Sequence, residues 1–119
     1  MGTDQNSDLT RAMTLILIVL SQGARHGYAI MTEIVSMTDG EYQVSAGTLY
    51  RSIGQMVKSG LVEEAPELFD PEHDDERRKY YKITDQGRKT VTAELRRLDR
   101  LVQGARSLGV FRSFVGSET

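Results

Sequence analysis

The chain has 119 residues, with 15 Lys/Arg against 17 Asp/Glu and 39% hydrophobic residues; that is enough for one domain with a true core and too few for two ordinary ones. It has no cysteine, which excludes disulfides and thiolate chemistry. Its longest apolar run, Leu15 to Leu20, is too short to span a bilayer, so a cytoplasmic location is the expectation.

Residues 1–8 are polar and read as a flexible terminus. Asp8 is placed to cap a helix starting near Leu9. Met13 to Leu20 is apolar almost all round, so this helix should be buried on most sides and end at Gly23. A second helix covers Gly27 to Thr38, with Ile30, Met31, Ile34 and Val35 on one face and Gly40 as its stop. A third starts at Ser45, a good N-cap residue, and stops at Gly60. Its apolar face is Leu49, Ile53, Met56 and Val57; its polar face is Thr48, Arg51, Ser52, Gln55 and Lys58. Leu61 to Ala65 reads as a short strand, Pro66 to Glu76 as an acidic loop, and Arg78 to Ile83 as a second strand. The second strand carries Arg78, Tyr80 and Lys82 on one side and Lys79, Tyr81 and Ile83 on the other. Thr84 caps a long final helix that Gly109 ends, and residues 110–119 read as a second flexible terminus. The fold class is therefore mainly α with a small β-hairpin: a winged helix-turn-helix over residues 9–84 and a C-terminal dimerisation helix over 85–109.

Charge adds a direction. Residues 1–76 hold 4 Lys/Arg and 13 Asp/Glu, whereas residues 77–119 hold 11 and 4. Such a split suits a polyanionic partner or a self-complementary assembly, although solvated surface charge also produces it. A helix that reads the major groove needs short hydrogen-bonding side chains on its outer face. Thr48, Ser52 and Gln55 meet that need, and Arg51 can reach guanine or a phosphate. No acidic residue lies between Val44 and Val62, which favours DNA over an ordinary solvated amphipathic face. Arg77, Arg78 and Lys79 bring cations for phosphates to the hairpin. The six acids from Glu67 to Glu76 oppose that use unless they sit at the wing tip or turn away from the duplex.

On the last helix, Val91, Leu95, Leu98, Val102 and Ala105 recur at steps of four and three. That stripe exceeds what a small domain needs from a terminal helix, and it suits pairing with a second copy, the alternative being packing back on the same subunit. His26 and His73 have no cysteine neighbours and no zinc spacing. No nucleophile–base constellation, P-loop or dinucleotide fingerprint is present. An enzyme, a cofactor and a metal are all outside the expectation.

The segments HGYAIMTEI at 26–34, VSAGTLYRSIGQMVKSGLV at 44–62 and RRKYYKITDQGR at 77–88 together resemble the PadR family of bacterial transcriptional regulators. The single final helix is similar to that of the family's small subfamily. The resemblance implies a winged-helix homodimer, usually a repressor, on a pseudo-palindromic operator. Carried over by position, it places Tyr28, Ser45, Gly47, Thr48, Tyr50, Arg78, Lys79 and Tyr80 against DNA. The family commonly has proline after the cap and after the GTLY tyrosine; here those sites are Ala46 and Arg51, so operator preference should differ. The chain also lacks the tryptophan with which some small relatives stack flat drugs at the dimer centre.

The expected function is thus a homodimeric, sequence-specific DNA-binding regulator, a repressor by resemblance. Its interface would comprise Tyr28, Ser45, Gly47, Thr48, Tyr50, Arg51, Gln55, Arg77, Arg78, Lys79 and Tyr80. A small-molecule effector entering an apolar pocket near Met13, Leu17 and Leu98 is a further expectation. The alternative is a winged-helix protein-interaction module without DNA binding.

Overall fold

The computed structural model describes residues 9–111, so the two expected flexible ends, apart from Val110 and Phe111, lie outside the described residues. The first helix, α1 (Arg11–Leu20), is capped by Thr10, whose hydroxyl accepts from the Met13 N–H at 3.1 Å. The start is therefore two residues later than an Asp8 cap would give. Ile16, Leu17, Val19 and Leu20 are almost wholly buried, which makes α1 the central rod of the core.

Two residues, Arg25–His26, form β1, and α2 follows at once (Gly27–Met37). Its cap is His26, whose Nδ1 accepts from the Ala29 N–H at 3.2 Å. Ile30 and Ile34 pack into the core. The left-handed residue after α2 is Asp39 (φ 53), with Gly40 (φ 78) behind it. Asp39 N–H reaches the Ser36 carbonyl and Gly40 N–H the Val35 carbonyl, a Schellman ending displaced one residue from the glycine.

The next helix, α3 (Ala46–Lys58), is capped by Ser45, which accepts from the Thr48 N–H. Gly60 (φ 80) ends it: Gly60 N–H bonds the Val57 carbonyl and Leu61 N–H the Met56 carbonyl. Two side chains depart from the expected faces. Ser52 is buried and Val57 is 40% exposed. At 100° per residue Ser52 lies nearer the centre of the Leu49–Met56 face than Val57 does, so helix geometry overrides polarity at both positions.

Strand β2 (Val62–Glu64) and strand β3 (Tyr80–Ile83) pair antiparallel, with Val62 opposite Ile83 and Glu64 opposite Tyr81. On its other edge β3 pairs with β1, Arg25 opposite Tyr81 and His26 opposite Tyr80. The sheet therefore has three strands in the order β1-β3-β2 rather than two. Tyr81 and Ile83 face the core while Tyr80 and Lys82 stay half-exposed, as the alternation requires. A short 3₁₀ turn at Pro66–Leu68 opens the wing loop.

Helix α4 (Asp85–Ser107) leaves the body without a linker. Thr84 accepts from the Gly87 N–H at 3.0 Å to cap it, donates its hydroxyl to the Gly60 carbonyl at 2.6 Å, and bonds the Leu61 carbonyl through its own N–H. A Cβ at Gly87 would run into the Leu61 carbonyl, so glycine is what lets α4 lie against the end of α3. Gly104 does not interrupt the helix, which is broken by Gly109 (φ 79); Val110 and Phe111 are helical again. The described residues span 55 Å along their longest axis. The architecture is a winged helix carrying a long C-terminal helix.

Candidate nucleic-acid interface

Along α3 the outward stripe runs Gly47, Tyr50, Arg51, Gly54, Lys58, all exposed, with Gln55 beside it and the half-buried Thr48 at its edge. A Cβ built on Gly47 or Gly54 would meet nothing within 4 Å. Neither glycine is thus required by packing within the chain, and both leave the helix surface low and open. Gly54 was not singled out from sequence; the signal was its spacing of seven from Gly47, two turns along the same face. Ser45 is engaged as the helix cap, and its hydroxyl also donates to Thr48 Oγ1 at 3.2 Å. Arg51 lies one turn on, with Nη2 3.4 Å from Thr48 Oγ1.

The two glycine–tyrosine motifs meet in space. A Cβ at Gly27 would collide with the Tyr50 hydroxyl, so Gly27 is what lets the α3 tyrosine lie over the first turn of α2. Tyr28 projects from that turn, 67% exposed. Together with Tyr50, Arg77, Arg78 and Lys79 it lines a cleft of about 280 Å³ that also takes in His26 and Asp75. Ser45 and Thr48 lie apart from it, in a depression lined by Arg11 and Tyr42, where the Arg11 guanidinium sits 4.8 Å from the Tyr42 ring centroid. Gln55 borders a third groove, near the start of α4. The sequence-derived contact residues thus divide: Tyr28, Tyr50, Arg77, Arg78 and Lys79 share one cleft, Ser45 and Thr48 line a second depression, and Gln55 borders a third groove.

The wing's cations are already paired. Arg78 Nη1 lies 3.3 Å from Asp74 Oδ1, Arg77 Nε 3.8 Å from Asp75, Lys79 Nζ 3.6 Å from Glu64, and Lys82 Nζ 3.4 Å from Glu67. The acids thus answer the wing's own bases. Arg77 remains the most open, with its side chain 93% exposed; Lys79 is at 60% and Arg78 at 35%. Tyr80 is not a free projection: its hydroxyl donates to Asp74 at 3.2 Å and its ring meets the His26 ring edge-on at 5.4 Å. Burial lowers the His26 pKa, Arg78 lowers it further, and Asp74 acts in the opposite direction. The neutral ring this favours leaves Nδ1 free to accept from Ala29. The backbone N–H of Asp70, then Tyr80 and Arg78, holds the Asp74 carboxyl below its usual range. Burial, then Glu64 and Tyr50, pushes the Tyr81 hydroxyl up.

The stripe on α4 divides. Val91 belongs to the chain's own core at 4% exposure, because it lies in the half of α4 that packs on the body. Leu95 and Val102 are exposed, Leu98 and Ala105 half-buried. Leu101 and Leu108 are 63% and 84% exposed, and Val110 and Phe111 are open too. The expected effector pocket is also redrawn. Leu17 is wholly buried, and Leu98 lies beyond the groove of about 740 Å³ that Met13 shares with Leu9, Met56, Leu61, Lys58 and Lys89. Among the described residues no group of three or more His, Cys, Asp or Glu is placed to hold a metal ion, and no helix is long and apolar enough to cross a membrane.

The family described as transcriptional regulator PadR-like matches residues 16–93, which takes in α2, α3, the wing and the start of α4. The chain belongs to the PadR-like family. Its members are DNA-binding transcriptional regulators rather than enzymes, and this chain is one of them. A transcriptional regulator from Clostridium thermocellum is 26% identical, with a TM-score of 0.68 over 81% of this chain and 87% of its own. RosR of H. salinarum is 29% identical, with a TM-score of 0.62 over 93% of this chain and 94% of its own. Bacillus subtilis PadR, solved in complex with operator DNA, is 18% identical and shares the fold, with a TM-score of 0.60 over 70% of this chain and 45% of its own.

Proposed function

We propose that the chain is a homodimeric repressor of transcription that holds a pseudo-palindromic operator through the outer face of α3 and the wing. Residues 9–84 carry the DNA-binding unit and residues 85–109 the dimerisation helix. The observation that carries this reading is the face of α3 itself: open, free of carboxylates, and lowered by two glycines that the chain's own packing does not need. Thr48, Arg51 and Gln55 read base edges, while Tyr28, Ser45, Tyr50, Arg77 and Lys79 position the sugar–phosphate backbone. Gly47 and Gly54 allow the helix to sit deep in the groove. In dimer form, two copies of α3 would enter successive major grooves about 34 Å apart. The apolar end of α4, with Leu95, Leu101 and Val102 exposed and Leu98 and Ala105 half-buried, is the surface that pairs. The groove between α1, α3 and α4 is where a small-molecule effector would enter. Action on DNA places the protein in the cytoplasm.

The test is a titration of a duplex, selected by the protein from a random pool, at a series of salt concentrations. Phosphate contacts release counterions, so affinity should fall steeply and linearly on logarithmic axes, with two chains bound per duplex at saturation. The ion-paired wing is the feature that favours the rival reading, a protein-interaction module. No binding to any duplex at low salt would overturn the DNA reading in favour of that rival.

A further inference from the structure

Within the wing loop one carboxylate differs from its neighbours. The Asp74 side chain retains only 5% of its exposure, while those of Asp70, Asp75 and Glu67 keep about half or more. Its Oδ2 accepts from the Asp70 N–H at 2.8 Å, closing the loop on itself. Its Oδ1 accepts from the Arg78 guanidinium at 3.3 Å and from the Tyr80 hydroxyl at 3.2 Å. The Tyr80 ring stands at 83° to the His26 ring, and His26 caps α2 through Ala29. Asp74 thus ties three things together: the descending end of the loop, the start of β3, and the turn that presents Tyr28.

We propose that Asp74 is a positioning residue for DNA binding: its carboxylate fixes the wing, through Arg78 and Tyr80, against the α2 cap, so that the open cations Arg77 and Lys79 stand at a set distance from α3. This inference rests on the DNA-binding reading above. Electrostatics and geometry here predict opposite signs. A carboxylate paired with Arg78, in the same wing as Arg77 and Lys79, weakens the wing's attraction for phosphate, so a residue with no positioning role should bind DNA better when neutralised. A residue that sets the spacing of two contact surfaces should bind worse, because misplacement by about an ångström is costly at a rigid interface.

The experiment compares Asp74→Asn with Glu72→Gln, a neutralisation at an exposed position of the same loop. Binding is followed by fluorescence anisotropy on the duplex selected by the wild-type chain and on a scrambled one, alongside the thermal midpoint and an NMR titration of His26. Glu72→Gln should bind both duplexes as tightly as wild type or more tightly. Asp74→Asn removes the same charge yet should lose roughly tenfold on the selected duplex, with little loss on the scrambled one. Its His26 should titrate at lower pH than in wild type, because Asp74 favours the charged ring. Tyr80→Phe, which deletes only the hydroxyl that reaches Asp74, should show the same selective loss if Asp74→Asn folds poorly. Asp74→Asn binding the selected duplex as well as Glu72→Gln does, or an unmoved His26 titration, would overturn the proposal. If the wild-type chain binds no duplex, the DNA-binding reading fails and the DNA role of Asp74 falls with it. The His26 shift would then report only the structural link.

Discussion

Replacing Gly54 by alanine separates what α3 needs for folding from what it needs for recognition. The added Cβ meets nothing within 4 Å inside the chain, so the substitution causes no strain and removes the backbone entropy that glycine carries in a helix interior. Alanine is favoured there by about 0.5–1 kcal/mol. For a domain of this size that amounts to a rise in thermal midpoint of about 2–6 °C. On the DNA side the sign reverses. If the Gly47–Gly54 side of α3 lies on the floor of the groove, a methyl group there lifts the helix and displaces Thr48, Arg51 and Gln55 from the base edges. A loss of about 1–3 kcal/mol, or roughly five- to 150-fold in affinity, follows for the selected duplex. The assay is a thermal melt and an anisotropy titration on the same preparation. A variant that melts higher and binds the selected duplex undiminished would refute the placement of this face in the groove.

The remaining predictions concern the body. Gly87→Ala should lower stability by about 1–3 kcal/mol, seen as a fall in urea midpoint, because its Cβ has to displace the Leu61 carbonyl and the Ile83 side chain. His26 should make stability pH-dependent. Its folded pKa lies below the ordinary histidine value, so the unfolded chain binds more protons at mildly acidic pH and stability falls as pH drops below about 6.5. His26→Asn, which keeps a cap without the titration, should flatten the thermal-midpoint profile from pH 7 to 5 relative to wild type.

Much of this architecture was legible in the residues. Ser45, Gly60 and Thr84 fixed the ends of two helices because side-chain caps and left-handed glycines are local devices. The burial of α1 followed from its apolar run and the alternation of Tyr80 to Ile83 from period. What escaped lay in long-range contacts or in unusual chemistry. Strand β1 is two residues long and carries no pattern; it exists because His26 and Arg25 reach β3 across the fold. His26 is an uncommon cap, and the left-handed ending of α2 begins at Asp39, one residue before Gly40. Of the candidate contact residues, the uncharged-to-basic outer face of α3 could be read from Thr48, Arg51 and Gln55, whereas the Gly27–Tyr50 approach could not, because it joins two helices. The partners of Arg78 and Tyr80 were not, because a carboxylate count says that six acids are present but not which one turns inward.

Thr84 occupies the junction between the two halves of the molecule. That one residue separates the end of β3 from the start of α4, and two of its bonds clasp the turn that closes α3. No residue is left over to act as a hinge. In a paired assembly the separation of the two reading heads is then set by the bearing of α4, with no slack to absorb a mismatch. Adding or deleting base pairs between the half-sites would find one head facing the wrong side of the double helix. A molecule that tilts the long rods would loosen both heads together.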